Sequence, residues 1–299
     1  MNTTTVQAHI TPFAGALGEP CLKLEGVDPF DVGKVFDCGQ CFRFDPVAAS
    51  SHEIEFGGVI NGHYLTVGQD EPHSIVLHNV TKADLDGLLR FFALDVDYSA
   101  MDERIKAAVP NEIMHRAVEF GRGIRILRQD GFEALCSFIL SQNNNIPRIK
   151  GLIEALCRAY GEAFSDAYGP HYAFPTPEAL ATATEAELRA LRVGFRAPYL
   201  VDAAKRWVNG EIDTCLLENG TYGEAEAMLT KIHGVGPKVA ACVLLFGFGR
   251  TDAFPVDVWI KKVLATHFGG TFPVDTLGDA AGIAQQYLFY LGRYSDLFK

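Results

Sequence analysis

Apolar and polar positions alternate in several short stretches of the first hundred residues, and these stretches are rich in β-branched and aromatic side chains. Alternation with a period of two is typical of half-buried strands. Asn61-Gly62 lies between two of the stretches and is the strongest short hairpin signal that a sequence offers. The pattern therefore predicts antiparallel strands at 21–26, 41–45, 52–60, 63–68 and 74–80.

After Thr81 the spacing of apolar positions changes to the helical period and keeps it to the C-terminus. One apolar helix face consists of Ile146, Ile149, Leu152, Ile153 and Leu156. Helix starts are indicated by capping side chains: Thr81 with Asp84, Asp130 with Glu133, Thr176 before Pro177, Thr184 with Glu187, and Asp257. Gly194 is predicted to end the helix that begins at Thr184. Further helices are predicted at 197–208, 222–230 and 281–294, and one with Pro237 in its first turn.

Strands followed by helices, rather than strands alternating with helices, indicate an α+β fold. We expect an antiparallel β-sheet subdomain over residues 1–100, packed on a mostly α-helical body over residues 101–299. The sequence contains no internal repeat and no low-complexity segment.

The composition predicts a large hydrophobic core and a reducing environment. The chain has 299 residues, 48% of them hydrophobic, yet no apolar run reaches the roughly 18 residues that span a bilayer. The N-terminal segment lacks the basic and apolar regions of a signal peptide, so we expect neither export nor membrane insertion. Seven cysteines, an odd number spread from Cys21 to Cys242, predict buried thiols rather than disulfides.

The net charge of −11 argues against a non-specific coat of nucleic acid, because such binding rests on Lys and Arg neutralising phosphates. It does not exclude a local basic face. The first hundred residues are rich in Asp and Glu, whereas many basic residues lie in the middle of the chain: Arg122, Arg125, Arg128, Arg148, Lys150, Arg158, Arg192, Arg196, Lys205, Arg206, Lys231 and Lys238.

The stretch "KIHGVGPKVAACVLLF" at 231–246 places a glycine hairpin between two helical segments. Gly234 and Gly236 permit a sharp turn and close approach of the backbone. The amides that begin the second helix would then point outward at the positive end of its dipole, as a phosphate site requires. A plain connection between two helices is the alternative, and the glycines alone do not decide between them.

Lys238 and Asp257 suggest chemistry beside the hairpin. Lys238 lies in the first turn of the second helix, where the dipole and partial burial both disfavour its charged form. A neutral amine in a cleft is a nucleophile that can form a Schiff base with a sugar carbon. Asp257, at another predicted helix N-terminus, would stay ionised and steady positive charge. A simple helix N-cap is the alternative for Asp257.

The pair Cys38 and Cys41 in "CGQC" has a spacing that metal and redox sites use. No second pair stands at ligand spacing, and the segment lies between predicted strands rather than at the start of a helix. We therefore expect neither a catalytic metal nor redox chemistry.

The motif "IHGVGPKVAAC" followed by "FPVDVW" resembles the helix-hairpin-helix, glycine/proline-Asp superfamily of DNA glycosylases. The segments "DCGQCFRF", "LRQDGFEALCSFILSQNNNIPRIKG", "VGFRAPYL" and "AQQYLF" are similar to the 8-oxoguanine DNA glycosylase family in the same order. The resemblance runs from about Cys21 to the C-terminus. It places the helix-hairpin-helix at about 222–247 and the Asp motif at 254–259.

The resemblance implies a bifunctional glycosylase and lyase. Lys238 would attack the anomeric carbon of the damaged nucleotide, and Asp257 would stabilise the oxocarbenium-like transition state. The resulting Schiff base would permit β-elimination of the 3′ phosphate in base excision repair. The damaged base would be flipped out of the duplex into a pocket.

The resemblance also implies how the base and the DNA are contacted. The Gly39 carbonyl would accept the N7 hydrogen that oxidised guanine carries and guanine lacks, Gln285 would contact the Watson–Crick edge, and Phe289 and Cys242 would sandwich the ring. Asn143 would fill the gap, and Arg148 and Arg196 would reach the orphaned base. Phosphate contacts would come from Gly234, Val235 and Gly236 in the hairpin.

Two positions depart from the family pattern: Phe195 replaces a tyrosine wedge of eukaryotic relatives, and Trp259 replaces a histidine near a phosphate. No cysteine follows Cys242, so the iron–sulfur cluster of some relatives is not expected. We expect a compact bacterial-type member, cytoplasmic and at the nucleoid, that acts without a cofactor as a monomer on duplex DNA containing 8-oxoguanine.

Two other functions are weighed against this one. A monofunctional alkyl-base glycosylase of the same superfamily would typically lack Lys238. A non-catalytic helix-hairpin-helix protein would use the hairpin only as a phosphate clamp, and the joint presence of Lys238 and Asp257 argues against it.

Overall fold

The N-terminal part of the protein is an antiparallel sheet. A computed structural model describes residues 9–27 and 29–298. The strands are β1 (His9–Ala14), β2 (Pro20–Glu25), β3 (Phe44–Pro46), β4 (Ile54–Ile60), β5 (His63–Gln69) and β6 (Ser74–His78). They form one six-stranded sheet in the order β1-β2-β6-β5-β4-β3, and every neighbouring pair is antiparallel.

The alternating pattern located most of this sheet. Asn61 and Gly62, with φ of 50° and 76°, form the predicted two-residue turn between β4 and β5. The strand predicted at 41–45 is reduced to Phe44–Pro46. The edge strand β1 was not predicted; it contains Pro12, a residue that strands accept only at sheet edges.

The rest of the chain is mainly helical. A short helix α1 (Val32–Asp37), missed by the periodicity, precedes β3, and the others follow the sheet. They are α2 (Leu85–Phe91), α3 (Tyr98–Ala108), α4 (Glu112–Gly121), α5 (Gly131–Ser141), α6 (Ile146–Tyr160), α7 (Pro177–Ala181), α8 (Glu185–Ala190), α9 (Ala197–Val208), α10 (Thr214–Asn219), α11 (Tyr222–Leu229), α12 (Pro237–Gly247), α13 (Val258–His267), α14 (Val274–Leu277) and α15 (Ala281–Tyr294). An unpredicted hairpin of β7 (Ala163–Asp166) and β8 (Gly169–Tyr172) interrupts them.

Capping residues mark several helix starts as predicted. Asp130 accepts the Glu133 N–H at 2.8 Å, and Thr184 and Glu187 form a reciprocal capping box. The predicted stop at Gly194 is wrong: α8 ends at Ala190, and Arg192 already adopts a left-handed φ of 66°. Gly194 instead begins a short 3₁₀ turn that leads into α9.

Two clusters of buried side chains form the cores of the sheet and of the helical part. One packs the sheet with α1 and α2, and the other packs the helices from α3 to α15. Cys38 and Phe42 precede β3 but belong to the helical cluster, so this segment is inserted against the helices. Phe42 contacts Phe138 of α5 edge-on, with ring centroids 5.7 Å apart. A division near residue 100 stays a prediction.

All seven cysteines are free thiols and six of them are buried, as predicted; only Cys215 is exposed. Burial raises the pKa of both Cys38 and Cys41 to about 12, so both are neutral thiols at neutral pH. Within residues 9–27 and 29–298, no helix has the length and apolar character needed to cross a bilayer.

Candidate active site

A cavity of about 860 Å³ lies where the segment 38–42 meets α5, α12, α13 and α15. Its lining brings together the six residues predicted for chemistry and base recognition: Gly39, Lys238, Cys242, Asp257, Gln285 and Phe289. Asn143 and Gly236 also border it, whereas Arg148, Phe195, Arg196, Gly234 and Val235 do not.

The hairpin between α11 and α12 is fixed against α9. Gly234 has a φ of 78°, and a Cβ atom there would lie 2.3 Å from the Tyr199 ring. Asp202 accepts the His233 N–H at 2.7 Å. Two side chains of α9 therefore contact the turn at consecutive residues just before α12.

The first turn of α12 leaves amides available. Gly236 is its exposed N-cap, and no side chain caps it. The Val235 N–H is already bonded to the Ile232 carbonyl at 3.0 Å, so it serves the turn itself. In the described part of the chain, nothing accepts a hydrogen bond from the Gly236 or Lys238 N–H. An uncapped helix start of this kind suits an anion.

Lys238 projects from this turn into the cavity. Its Nζ atom lies 5.5 Å from the centre of the Phe138 ring. Cys242, one turn later in α12, lines the same cavity. Burial raises the pKa of the Cys242 thiol, while the positive charge of Lys238 lowers it. The amine therefore lies near an aromatic face and a neutral thiol.

Asp257 caps α13, and its Oδ1 atom accepts the Ile260 N–H at 2.8 Å. Burial raises the pKa of this carboxyl group. The N–H groups of Ile260 and Trp259 and the charges of Lys238 and Arg293 act in the opposite direction. The N–H groups at the start of α13 favour the carboxylate, as expected from its place at a helix N-terminus, while burial raises its pKa.

Gly39 lies in a segment whose neighbouring carbonyls are both engaged. The Gln286 side chain donates to the Cys38 carbonyl at 2.7 Å, and Gln129 donates to the Gln40 carbonyl at 2.8 Å. No group in the described ranges donates to the Gly39 carbonyl. Gly39 has a φ of 77°, and a Cβ atom would lie 3.6 Å from the Phe289 ring, so a larger side chain would be strained there and would occupy the space beside that ring.

Gln285 presents an unpaired acceptor. Its side chain is 3% exposed, and Nε2 donates to the Pro255 carbonyl at 3.0 Å. Its Oε1 atom is one of three buried side-chain polar atoms without a partner among the described residues. A buried carbonyl oxygen without a donor costs free energy, about 1–3 kcal/mol. That cost is recovered if a ligand in the cavity donates to it.

The three asparagines between α5 and α6 have separate roles. Asn143 is exposed and adopts a left-handed φ of 48°. Asn144 donates to the Leu140 carbonyl at 3.0 Å, and Asn145 caps α6 by accepting the Arg148 N–H at 3.0 Å. Asn143 is thus displayed at the rim of the cavity by its two neighbours.

The two arginines predicted to read the orphaned base are in different environments. Arg148 is exposed, and no described residue pairs with its side chain. Arg196 is 3% exposed and donates to the carbonyls of Gln142, Asn143 and Val193, with 3.1 Å to each of the last two. In this conformation Arg196 holds the loop that carries Asn143.

Family models match most of the sheet and helical parts of the chain. Residues 24–135 match the family described as 8-oxoguanine DNA glycosylase, N-terminal domain, and residues 136–271 match the HhH-GPD superfamily of base excision DNA repair proteins. The chain belongs to the 8-oxoguanine DNA glycosylase family.

A Saccharomyces cerevisiae N-glycosylase/DNA lyase is 32% identical over 78% of this chain, which spans 66% of that protein. The structure of MBOgg1 with a low-affinity DNA ligand is 36% identical, has a TM-score of 0.85, and covers 95% of this chain and 98% of its own. The Clostridium acetobutylicum 8-oxoguanine glycosylase/lyase, bound to duplex DNA with cytosine opposite 8-oxoG, is 32% identical and has a TM-score of 0.84. The match covers 95% of this chain and 97% of that one.

The two departures from the family pattern are both accessible from outside the protein core. Phe195 is 47% exposed, and the Arg196 guanidinium lies 4.4 Å above its ring. Trp259 borders the cavity, with the Lys262 amine 6.0 Å from its ring. Phe195 exposes a phenyl group without the hydroxyl of a tyrosine, and its role as a wedge stays a prediction.

Sequence reasoning missed the residues that support the pocket of this glycosylase. Gln286 and Gln129 fix the carbonyls on either side of Gly39, and Gln286 is 2% exposed. One signal was available: two consecutive glutamines within the otherwise apolar segment 281–291 predict buried polar contacts. Gln129 gave no such signal.

Proposed function

We propose that this protein excises 8-oxoguanine from duplex DNA and cleaves the strand through Lys238. The observation that carries the proposal is one cavity lined by an amine, a carboxyl group and the unpaired Gln285 Oε1. Its volume of about 860 Å³ falls within the range of about 300–1,000 Å³ for small-molecule sites, enough for a flipped base.

The reaction follows from the amine and the carboxylate. The Lys238 nitrogen donates its lone pair to C1′, the C1′–N9 electrons leave with the base, and the base takes up a proton. Asp257 stabilises positive charge on the sugar as that bond breaks. Opening of the sugar gives a Schiff base on Lys238, and loss of a C2′ proton then expels the 3′ phosphate.

Discrimination from guanine rests on the Gly39 carbonyl. An N7–H of 8-oxoguanine would donate to this unpaired oxygen, whereas guanine would present a lone pair and be repelled. Gln285 Oε1 would accept from the donors on the Watson–Crick edge of the same base. Phe289 and Cys242 would cover its two faces.

Recognition of the opposite strand is assigned to the rim of the cavity. Asn143 would occupy the gap, and Arg148 would donate to the O2 and N3 acceptors of an orphaned cytosine. Arg196 would join it only after leaving its present carbonyl partners. We infer a preference for cytosine, worth about 1–3 kcal/mol by analogy with other bidentate base contacts.

The test is release of 8-oxoguanine and strand cleavage by the purified protein on a duplex with one 8-oxoguanine. Lys238→Gln is expected to lose both activities and to keep most DNA binding. Lys261→Gln is the matched control, because Lys261 borders the same cavity and has no assigned chemistry.

Base release without strand cleavage, preserved in Lys238→Gln, would indicate a monofunctional glycosylase instead. Binding without release of any base would indicate a non-catalytic DNA-binding protein. A monomeric state and a bacterial cytoplasmic setting at the nucleoid stay predictions.

A further inference from the structure

A second cluster of reactive side chains lies in the sheet, away from the cavity. It consists of Glu19 in the turn between β1 and β2, Cys21 in β2 and His78 in β6. Cys21 and His78 stand directly opposite each other in the β2–β6 register. The three residues are 6%, 1% and 7% exposed, and they take no part in the glycosylase chemistry.

The three donor atoms form a compact triangle. Cys21 Sγ lies 3.3 Å from His78 Nδ1, Glu19 Oε1 lies 3.2 Å from the same nitrogen, and Sγ and Oε1 are 3.7 Å apart. Tetrahedral zinc, with bonds of about 2.3 Å to sulfur and about 2.0–2.2 Å to nitrogen or oxygen, has edges of about 3.4–3.6 Å between its ligands. Each observed separation agrees with these edges to about 0.3 Å.

A chain of hydrogen bonds behind His78 favours a cation at its Nδ1 atom. His78 Nε2 lies 2.8 Å from His52 Nε2, and His52 Nδ1 lies 2.8 Å from the Asp70 carboxylate. If a neutral His52 donates to Asp70, its Nε2 must accept from His78. The His78 Nδ1 lone pair then faces Glu19 Oε1 and Cys21 Sγ, so that three ligand atoms converge on one point.

A metal-bound histidine characteristically donates its other ring N–H to a partner ordered by a carboxylate. His78, His52 and Asp70 have this arrangement. The presence of a cysteine beside the same nitrogen favours a metal with affinity for sulfur.

We propose that Glu19, Cys21 and His78 form a structural zinc site, with His52 and Asp70 as the supporting relay. The Glu19 backbone oxygen, 3.6 Å from Sγ, or a water molecule completes the coordination. Tyr168, between β7 and β8, donates to Glu19 Oε1 at 3.0 Å. The ion would therefore link the turn before β2 and strand β6 to the β7–β8 hairpin.

The experiment uses untagged full-length protein stripped with a chelator and refilled with zinc or cobalt. We expect about one bound ion per chain, a thiolate-to-cobalt charge-transfer absorption and a higher Tm with zinc. Cys21→Ser should remove the absorption and weaken zinc binding at least about tenfold. Cys215→Ser, which changes the exposed free cysteine, should bind as the unmodified protein does.

Failure of the stripped protein to bind zinc stoichiometrically overturns the proposal, as does a cobalt–thiolate absorption that survives in Cys21→Ser. If Cys21→Ser does not fold, the cobalt spectrum of the unmodified protein decides. A tetrahedral thiolate spectrum that Cys215→Ser retains supports the site, and absence of that spectrum removes it.

Discussion

The polar groups of the cavity and those of the loop 142–145 differ in whether they already have hydrogen-bond partners. In the cavity, the Gly39 carbonyl and Gln285 Oε1 have no partner among the described residues. In the loop, the backbone carbonyls of Gln142 and Asn143 are already bonded to Arg196. The cavity is therefore prepared for a ligand that donates hydrogen bonds, whereas the loop is prepared as a scaffold that displays Asn143.

This difference also separates residues that look alike in sequence. Arg148 and Arg196 have the same predicted role, but among the described residues the Arg196 guanidinium has hydrogen-bond partners and that of Arg148 has none. A guanidinium that already serves three carbonyls must give up those bonds before it reads a base. Burial, rather than residue type, decides what each arginine does before DNA arrives.

The largest expected effect comes from removing the scaffold. Arg196→Met should lower the free energy of unfolding by about 3 kcal/mol, because buried carbonyls lose a charged donor. Arg148→Met should leave it within about 0.5 kcal/mol, as exposed positions usually do. Denaturant unfolding of both variants measures the contrast. Equal losses would show that Arg196 is not a support for the loop.

The next effect concerns the cavity. Gln285→Ala should slow excision of 8-oxoguanine about 10- to 100-fold, the cost of one or two lost hydrogen bonds to the base. Phe289→Ala should also slow excision, through lost stacking. Binding to an abasic-site analogue, which has no base to contact, should change less. Parallel losses on the two ligands would instead indicate a folding defect or a general DNA contact.

A smaller effect is expected at the opposite strand. Arg148→Met should reduce the preference for cytosine, chiefly by improving relative excision opposite the other three bases. Single-turnover excision opposite each of the four bases measures this for both proteins. If Arg148→Met lowers all four rates by one factor, Arg148 is a phosphate contact and the proposed base reading is wrong.

The smallest effect is a displaced pH dependence. Burial raises the pKa of Asp257 above that of an ordinary aspartate, which is about 3.9. As the pH is lowered, the excision rate should therefore begin to fall at a higher pH than an ordinary aspartate would give. Because the pKa is higher in the folded state, protonated Asp257 adds to the free energy of unfolding at low pH. This contribution is lost as the pH rises through the pKa of the folded state. Asp257→Asn should remove this loss from the pH profile of unfolding. An unchanged profile would exclude Asp257 as its source.

Local patterns predicted the elements around both regions. Capping residues gave the starts of α5, α8 and α13, and Asn61-Gly62 gave the β4–β5 turn, because each signal acts within four residues. The same short range explains two failures. Neither the six-residue helix α1 nor the β7–β8 hairpin is long enough to establish a period.

The resemblance of motifs predicted which side chains would line the cavity, but contacts distant in sequence were beyond it. Gln286 bonds to Cys38 across 248 positions, and Arg196 bonds to Gln142 across 54. Such pairs depend on how helices and the N-terminal segment pack. No pattern within one segment records them.

The central claim is that Lys238 becomes covalently attached to the damaged strand. Borohydride reduction during reaction with an 8-oxoguanine duplex, followed by peptide mapping of the trapped protein by mass spectrometry, tests it most directly. We expect one adduct, on the peptide that contains Lys238, and none in Lys238→Gln. An adduct on another lysine, or trapping that persists in Lys238→Gln, would contradict it.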